Sequence, residues 1–509
     1  MGIQTTILQV SAAIGLYILY LITTSIRKRF ENARFARQHG CLPPSKAPVD
    51  WTFNISRPFV IAKIRKQHKF MPFTQAAFQR NGNTFATSVA GKRLIMTCEP
   101  ENFKTILATS FKDFDLGKLR HDNWAEVLGN GIFTVDGAEW MHSRAMLRPQ
   151  FEKSQIMDLD DLEKHTQNLL SRLSSGDGEV INLHEYFLNF TLDFSTGLLF
   201  GESVNSQLGH DTSAFAKDLD YAQRVISFRV SLENFWWVYR PKAFTQAVKN
   251  VHRFVDQSVQ LAVDKAQQGN KEEKEGKYVF LEALARETRD PIVLRDQMMN
   301  VLVAGRDTTA GFLSWIFYCL ARNPRVWDIL RQEILNDFGR EKPTYQQLKD
   351  ARYLKWVLNE VLRLYPLVPS NFRYANKNTT LPLGGGPDGL SPIFIEKGER
   401  CVYSVYAAHR RKDIYGEDAD IFRPERWGEG KARGWDFLPF NGGPRICIGQ
   451  QLALTVASYA VVRLVQNFER IGNADMNNEE LGDLTLTFMP YPGTLVRLYR
   501  DAQASRSSD

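Results

Sequence analysis

Cys447 lies in the segment Phe440-Asn441-Gly442-Gly443-Pro444-Arg445-Ile446-Cys447-Ile448-Gly449, and a helix-forming apolar run to Leu464 follows it. A thiol at the start of a helix is stabilised as its anion by unpaired backbone N–H groups and by the helix dipole. A thiolate held in that way can ligate iron, and N–H groups aimed at the sulfur tune the metal's redox behaviour. Glycines at 442, 443 and 449 let the main chain come close to a flat macrocycle and to the helix behind it. Arg445 adds a guanidinium fork that matches a carboxylate. The plainer alternative for such a cysteine is a buried free thiol in a glycine-rich turn.

A second group of residues sits on a mostly apolar helical stretch: Ala304-Gly305-Arg306-Asp307-Thr308-Thr309. Asp307 and Thr308 place an acid beside an alcohol. Splitting dioxygen consumes protons, which a carboxylate can relay while a hydroxyl holds the oxygen. Gly305 leaves space for a small molecule, and Thr308 can bond a carbonyl one turn back and loosen the helix there. Glu360-Val361-Leu362-Arg363 puts opposite charges one turn apart, which alone would be a weak surface pair. Trp140 and Arg144, four residues apart after Asp136-Gly137, could form a cation–π contact.

The cysteine segment matches F-x-x-G-x-R-x-C-x-G at every fixed position and in this resembles the cytochrome P450 family. The other stations agree, and the resemblance gives each a role. It implies a haem b whose iron takes an axial thiolate from Cys447, with Phe440 and Gly449 flanking the ligand. It assigns Trp140, Arg144, Arg373 and Arg445 to the haem propionates, and Asp307 and Thr308 to proton delivery. Glu360 and Arg363 are expected to join Arg426, in Phe422-Arg423-Pro424-Glu425-Arg426-Trp427, as a buried structural triad behind the haem. A substrate pocket is expected to be lined by Phe111, Leu116, Val301, Ala304, Val368, Pro369, Phe488 and Met489, a mainly apolar wall.

Further segments resemble the fungal alkane- and fatty-acid-hydroxylating branch: Leu128 to Thr134, His142-Ser143-Arg144, Leu147 to Phe151, Val303 to Gly311, Asn371-Phe372-Arg373, Lys377 to Gly386 and Phe437 to Ser458. That branch hydroxylates long chains at or near the methyl end. Animal fatty-acid hydroxylases carry a glutamate where this chain has Ala304, so ester-linked haem is not expected. The alternatives are a tailoring monooxygenase of fungal secondary metabolism acting on a polyketide or acyl intermediate, a haem-thiolate isomerase or dehydratase, and a haem-binding sensor.

These residues need a large framework. The 509-residue chain is 43% hydrophobic and 12% aromatic, enough for a substantial core, and its net charge of +7 suits an anionic membrane or an acidic protein partner. No basic-aromatic repeat suggests nucleic acid. The five cysteines are scattered and form no C-x-x-C pair, so neither a disulfide framework nor a thiol zinc site is expected.

Ile3 to Ile26 carries no charge and is followed by Arg27-Lys28-Arg29, which reads as a transmembrane anchor with the body on the cytosolic side of the endoplasmic reticulum. The competing signal-peptide reading would want its positive charge before the apolar run. The domain plan is then 1–26 anchor, 27–50 basic and proline-rich linker, 51–499 haem domain and 500–509 disordered tail.

The fold expected is mainly α with small β-sheets, in one large helical domain of the P450 type. Pro291 to Arg322 is predicted as the longest helix, capped by Asp290 and closed by Asn323-Pro324. Asn83 to Thr97 is predicted to form strands turning at Ala90-Gly91, Pro382 to Tyr406 strands and turns, and Leu484 to Tyr499 a hairpin turning at Pro492-Gly493. No flavin or nicotinamide fingerprint is visible, so an NADPH–cytochrome P450 reductase is the expected electron donor, with cytochrome b5 as a further partner. Arg410, Arg411, Lys412, Lys431 and Arg433 are candidates for docking its acidic face.

Overall fold

Residues 3–26 contain neither proline nor charge, and in the computed structural model they lie within helix α1, Gly2–Gln38. The structure describes residues 2–48, 56–89, 92–151, 159–174, 176–209, 213–267, 279–430, 434–477 and 479–501. Helix α1 runs through the basic cluster instead of ending there, because nothing before Gly40 breaks it. It is also the longest helix described, at 37 residues against 32 for the predicted one. Ile14, Leu16, Tyr17, Leu19, Tyr20 and Ile22 on it are about half exposed or more. Among the described residues, no helix is long and apolar enough to cross a membrane. The expected linker is shorter than drawn: strand β1, Ser45–Lys46, already pairs in parallel with β2, Thr84–Val89.

The helices that frame the site follow in order: α2 Arg57–Lys66, α3 Lys118–Leu128, α4 Gly137–Leu147, α5 Leu183–Phe200, α6 Ser213–Ser231, α7 Lys242–Gln267, α8 Pro291–Arg322, α9 Arg352–Leu364 and α10 Gln450–Asn467. Helix α8 starts where expected. The Asp290 carboxylate accepts from the N–H groups of Ile292 at 2.9 Å and Val293 at 3.3 Å, and Pro291 fills the first turn, where no donor is needed. It ends at Asn323-Pro324, where the next helix begins.

The sheets are small and peripheral. Strands β3 Lys92–Thr97, β4 Phe114–Asp115, β6 Ser370–Ala375 and β9 Arg400–Ser404 join the first two in a six-stranded sheet, ordered β1-β2-β3-β9-β6-β4. The predicted strands about residues 83–97 pair antiparallel, Thr84 opposite Thr97 and Val89 opposite Lys92; their turn at Ala90-Gly91 lies outside the described residues. Strands β7 Thr379–Gly385 and β8 Ser391–Ile395 form a separate ladder.

The predicted C-terminal hairpin is placed differently. Strands β11 Gly482–Leu484 and β12 Phe488–Pro490 pair with each other, turning at Thr485–Thr487. Pro492-Gly493 instead leads out to β13, Leu495–Arg500, which lies between β10 Phe468–Asn473 and β5 Val180–Asn182. A Cβ at Gly493 would meet the Asn182 side chain at 2.2 Å, so the crossover needs glycine. Order also extends past the expected tail boundary: Arg500 is in β13, and the Asp501 carboxylate accepts from Arg331 and Arg340. Residues 502–509 lie outside the described residues.

The apolar interior falls into three clusters, and α8 belongs to two of them. Its first half, Leu294 to Val303, packs with α6 and α7; its second half, Ala310 to Ala321, packs with α9 and α10. The third cluster lies under the six-stranded sheet. Residues 304–309 fall in the seam between the two helical clusters, in neither of them.

Candidate active site

The seam is where the accessible side of α8 appears. From Asp296 to Ala321 the helix is buried, except that Val301, Ala304, Gly305 and Thr308 are partly open. Spacings of three and four put those residues on one face. Thr308 Oγ1 donates to the Ala304 carbonyl at 2.6 Å, the one-turn bond its position predicts. A Cβ on Gly305 would meet Ser195 Oγ of α5 at 3.1 Å, so the glycine serves close helix packing in addition to any space beside the stripe.

Asp307 is buried and not alone. Arg306 Nη1 donates to its Oδ1 at 3.0 Å and also pairs with Asp220. Burial pushes the Asp307 carboxyl above its ordinary range, while Arg306 holds it down. The arginine between Gly305 and Asp307 was visible in the sequence; its partner on α6 was not.

The cysteine loop meets the same seam. Ile448 packs against the first helical cluster described, that of α6 and α7, and Phe440 and Leu452 pack against the other. The loop is closed by Cys447 N–H donating to the Phe440 carbonyl at 2.9 Å and Ile446 N–H to Gly443 at 3.0 Å. Asn441 adopts φ 63°, supported by its Nδ2 bond to the Arg445 carbonyl and by Tyr403, whose hydroxyl donates to its Oδ1. Gly449 is the N-cap of α10.

Cys447 presents accessible surface yet is densely surrounded by protein. Burial raises its thiol, opposed by the Gly449 N–H and by the charge of Arg144. A metal bound at the sulfur would favour the thiolate against that burial. The loop glycines face protein: a Cβ on Gly442 would strike Trp435 at 2.6 Å, and one on Gly449 would touch Phe151 at 3.5 Å. Gly443, with φ +65°, presses on the Leu107 carbonyl at 1.8 Å from where a Cβ would lie, against a π-turn at Thr105–Thr109.

Beside the loop the structure gathers cations. Arg445 donates to Asp136 at 2.7 Å and to the carbonyls of Val135 and Ile132, and lies 4.5 Å from the Trp140 ring centroid. Arg373 is 2% exposed, donating to the Phe372 carbonyl and to Asn371. Arg144 donates to the Ile446 carbonyl at 2.9 Å, bracing the residue before the cysteine.

A further arginine, Arg120 of α3, shares Asn371 with Arg373, and its buried Nε has no hydrogen-bond partner among the described residues. Burial, and then the charge of Arg373, lower the Arg120 guanidinium to about 9 and that of Arg445 to about 10. Nothing in the spacing around Lys118-Leu119-Arg120 marked it, because its neighbours come from β6, some 250 residues away.

The excess positive charge, with Asp136 and Asp115 as its nearby acids, fits a ligand carrying carboxylates. Among the described residues no three His, Cys, Asp or Glu side chains gather around one point, so a metal here must bring most of its ligands. A porphyrin iron with two propionates satisfies both conditions, and the residues present fit it.

Behind the loop, Glu360, Arg363 and Arg426 come together with 1% exposure or less. Arg363 grips Glu360 bidentately at 2.8 and 2.9 Å, Arg426 Nε reaches it at 3.3 Å, and Trp427 Nε1 donates at 3.1 Å. Of the expected pocket residues, Phe111, Val301, Ala304 and Met489 are partly accessible and Val368 is 40% exposed. Leu116, Pro369 and Phe488 are buried instead. The Phe488 ring lies 5.0 Å from that of Trp315, whose indole N–H takes its carbonyl.

The proposed docking cations also separate. Arg410 is buried, its guanidinium 3.7 Å from the Tyr406 ring and paired with Glu480, so it presents no charge to a partner. Arg411 is engaged by Glu99 and Asp413, and Lys412 by Glu417. Lys431 and Arg433 lie outside the described residues.

Comparison with known proteins places the chain in a family. The profile described as "Cytochrome P450" matches residues 53–495. The chain is 44% identical over 507 residues to a protein named Cytochrome P450 52A5 of Candida maltosa, covering 94% of each chain. It is 45% identical over 510 residues to Cytochrome P450 52A1 of Candida tropicalis, covering 94% of this chain and 93% of that one. It is 44% identical over 537 residues to Cytochrome P450 monooxygenase g430 of Fusarium sp, covering 99% and 94%.

Proposed function

From the premise that the chain belongs to the cytochrome P450 family and is a haem-thiolate monooxygenase, we propose that it hydroxylates a C–H bond of a lipophilic alkyl or acyl chain at or near its end. The observation that carries the substrate class is the stripe Val301, Ala304, Gly305 and Thr308, the one open face on the buried middle of α8. Apart from the hydroxyl of Thr308 it offers no group to hold a polar substrate, whereas an alkyl chain loses nothing by lying along it. Met489 is a further apolar side chain against α8, 3.5 Å from where a Cβ on Gly311 would lie, and Phe111 and Val368 are apolar and accessible too.

Bound haem supplies the oxygen chemistry. Cys447 is the residue that would give its thiolate, with Gly449 N–H and Arg144 offsetting the cost of burying that charge. Arg120, Arg373 and Arg445 would take the carboxylates, with Trp140 beneath Arg445. Thr308 presents its hydroxyl oxygen at the stripe while its proton is committed to Ala304, and Asp307 is the acid one residue away.

Attachment to the endoplasmic reticulum membrane through α1 suits such substrates. Phe59 and Val60, on the same helix α2 as Lys63 and Lys66, expose further apolar surface, and so do Phe235, Trp237 and Val238. Electrons would come from an NADPH–cytochrome P450 reductase, with cytochrome b5 as a second donor.

Reconstituted holoenzyme, given reductase and a panel of alkanes, fatty acids and polyketides, is expected to convert the unbranched chains to terminal or near-terminal alcohols, read by mass spectrometry. Turnover confined to polyketides would move the assignment to secondary metabolism. Turnover without NADPH would overturn monooxygenation in favour of isomerisation. Cys447→Ala is expected to lose the red-shifted Soret band of the reduced carbon monoxide complex.

A further inference from the structure

Arg306 sits inside α8 with 2% exposure and is shared by two acids from different helices. Its Nη1 donates to Asp307 Oδ1 at 3.0 Å and to Asp220 Oδ1, on α6, at 2.5 Å; Nη2 reaches Asp220 Oδ2 at 3.4 Å. Gln223, three residues further along α6, lies beside Asp307, but its buried Nε2 makes no hydrogen bond among the described residues. The cluster grades from outside to inside: the Asp220 side chain is 35% exposed and that of Asp307 is 5% exposed. From α5, His184 also feels the charges of Arg306 and Asp220, and burial keeps it neutral with a pKa lowered to about 4.

An arginine confined between two carboxylates in a poorly solvated place acts on both. Breaking one side of such a pair leaves a buried charge uncompensated, which the protein relieves by changing protonation. Helix α6 itself reaches the β11–β12 turn through Ser227, whose hydroxyl donates to the Leu484 and Thr485 carbonyls, and reaches α2 through Arg65.

Resting on the monooxygenase reading above, we propose that Arg306 is a positioning residue for the proton-delivering acid. It fixes the Asp307 carboxylate and sets the pH at which that acid exchanges its proton, and Asp220 ties this setting to α6. The two partners then act with opposite sign. Without Arg306 the main offset to the burial of Asp307 is gone, and the acid keeps its proton to higher pH. Without the charge of Asp220, Arg306 serves Asp307 alone and a repelling carboxylate is gone, so Asp307 releases its proton at lower pH.

The test compares holoenzyme variants R306Q, R306K and D220N, each alone and combined with D307N. The pH dependence of product formation, and of the ratio of hydrogen peroxide released to NADPH consumed, is expected to move up by a pH unit or more in R306Q. In D220N it is expected to move down, and in R306K to stay near the parent. Unfolding midpoints against pH, each variant referred to its D307N partner, report the charge of Asp307 independently of turnover and are expected to shift in the same two directions. Shifts of the same sign in R306Q and D220N, or no shift in either, would overturn the proposal. Should R306Q fail to fold, D220N and R306K still decide it. Should the parent oxidise no substrate, the unfolding series still reads the ion cluster, so its failure is separable from failure of the assigned reaction.

Discussion

Gly443 carries two independent demands, a positive φ and a backbone carbonyl where its side chain would go. G443A is therefore expected to deform the cysteine loop and yield protein deficient in haem, measured as bound haem per chain. G449A, whose added methyl would meet Phe151 at an ordinary 3.5 Å, is expected to keep its haem. Glu360 is the acid shared by Arg363 and Arg426, both buried, although Arg426 also pairs with Asp418 at 2.9 Å. Glu360→Gln leaves two buried guanidiniums without it, and a loss of roughly 3–5 kcal/mol is expected in denaturant unfolding. These residues were legible because each occupies a fixed place in a short motif. Arg120 was not, since its position follows from the register of β6. Arg410 misled for the opposite reason: a basic triplet looks like surface until Tyr406 and Glu480 are brought around one member of it.

Elements were legible where their ends are chemically marked. Asp290 and Pro291 open α8, and Asn323-Pro324 close it, within the residues expected. Asp290→Ala removes the acceptor for two helix N–H groups and is expected to cost about 1 kcal/mol, seen as a lowered unfolding midpoint without loss of haem. The C-terminal strands were placed wrongly because strands of three residues carry too little alternation to show their partner. Pro492-Gly493 marks a turn but not which sheet the chain enters next. Helix α1 outran its expected end because charged residues such as Arg27 and Glu31 continue a helix as readily as they border a membrane, and here pair one turn apart at 2.8 Å.

For the molecule as a whole, the seam between two helical cores could not be read from the sequence, in which both halves of α8 are similarly apolar. Two buried histidines give stability a pH dependence. His409 accepts the Leu438 N–H and faces the Arg363 carbonyl; burial first, then Arg363, lower it to about 3. His184 is lowered to about 4 by burial and Arg306. Both are neutral when folded, so above the unfolded value of 6.5 they change nothing. As pH falls below it, the unfolded chain binds protons that the folded chain refuses, and each histidine removes about 1.4 kcal/mol per pH unit down to its folded value. Unfolding free energy is expected to fall more steeply than the carboxylates alone would give between pH 6.5 and 4, and His409→Gln to flatten that slope.

Strand β13 fills the gap between β5 and β10 and is synthesised after both. A ribosome that has already released the cysteine loop thus leaves two strand edges facing each other with nothing between them. A chain truncated before Leu495 is expected to keep those edges unpaired and so to pair with other chains or be cleaved more readily than the full chain, read by aggregation and limited proteolysis.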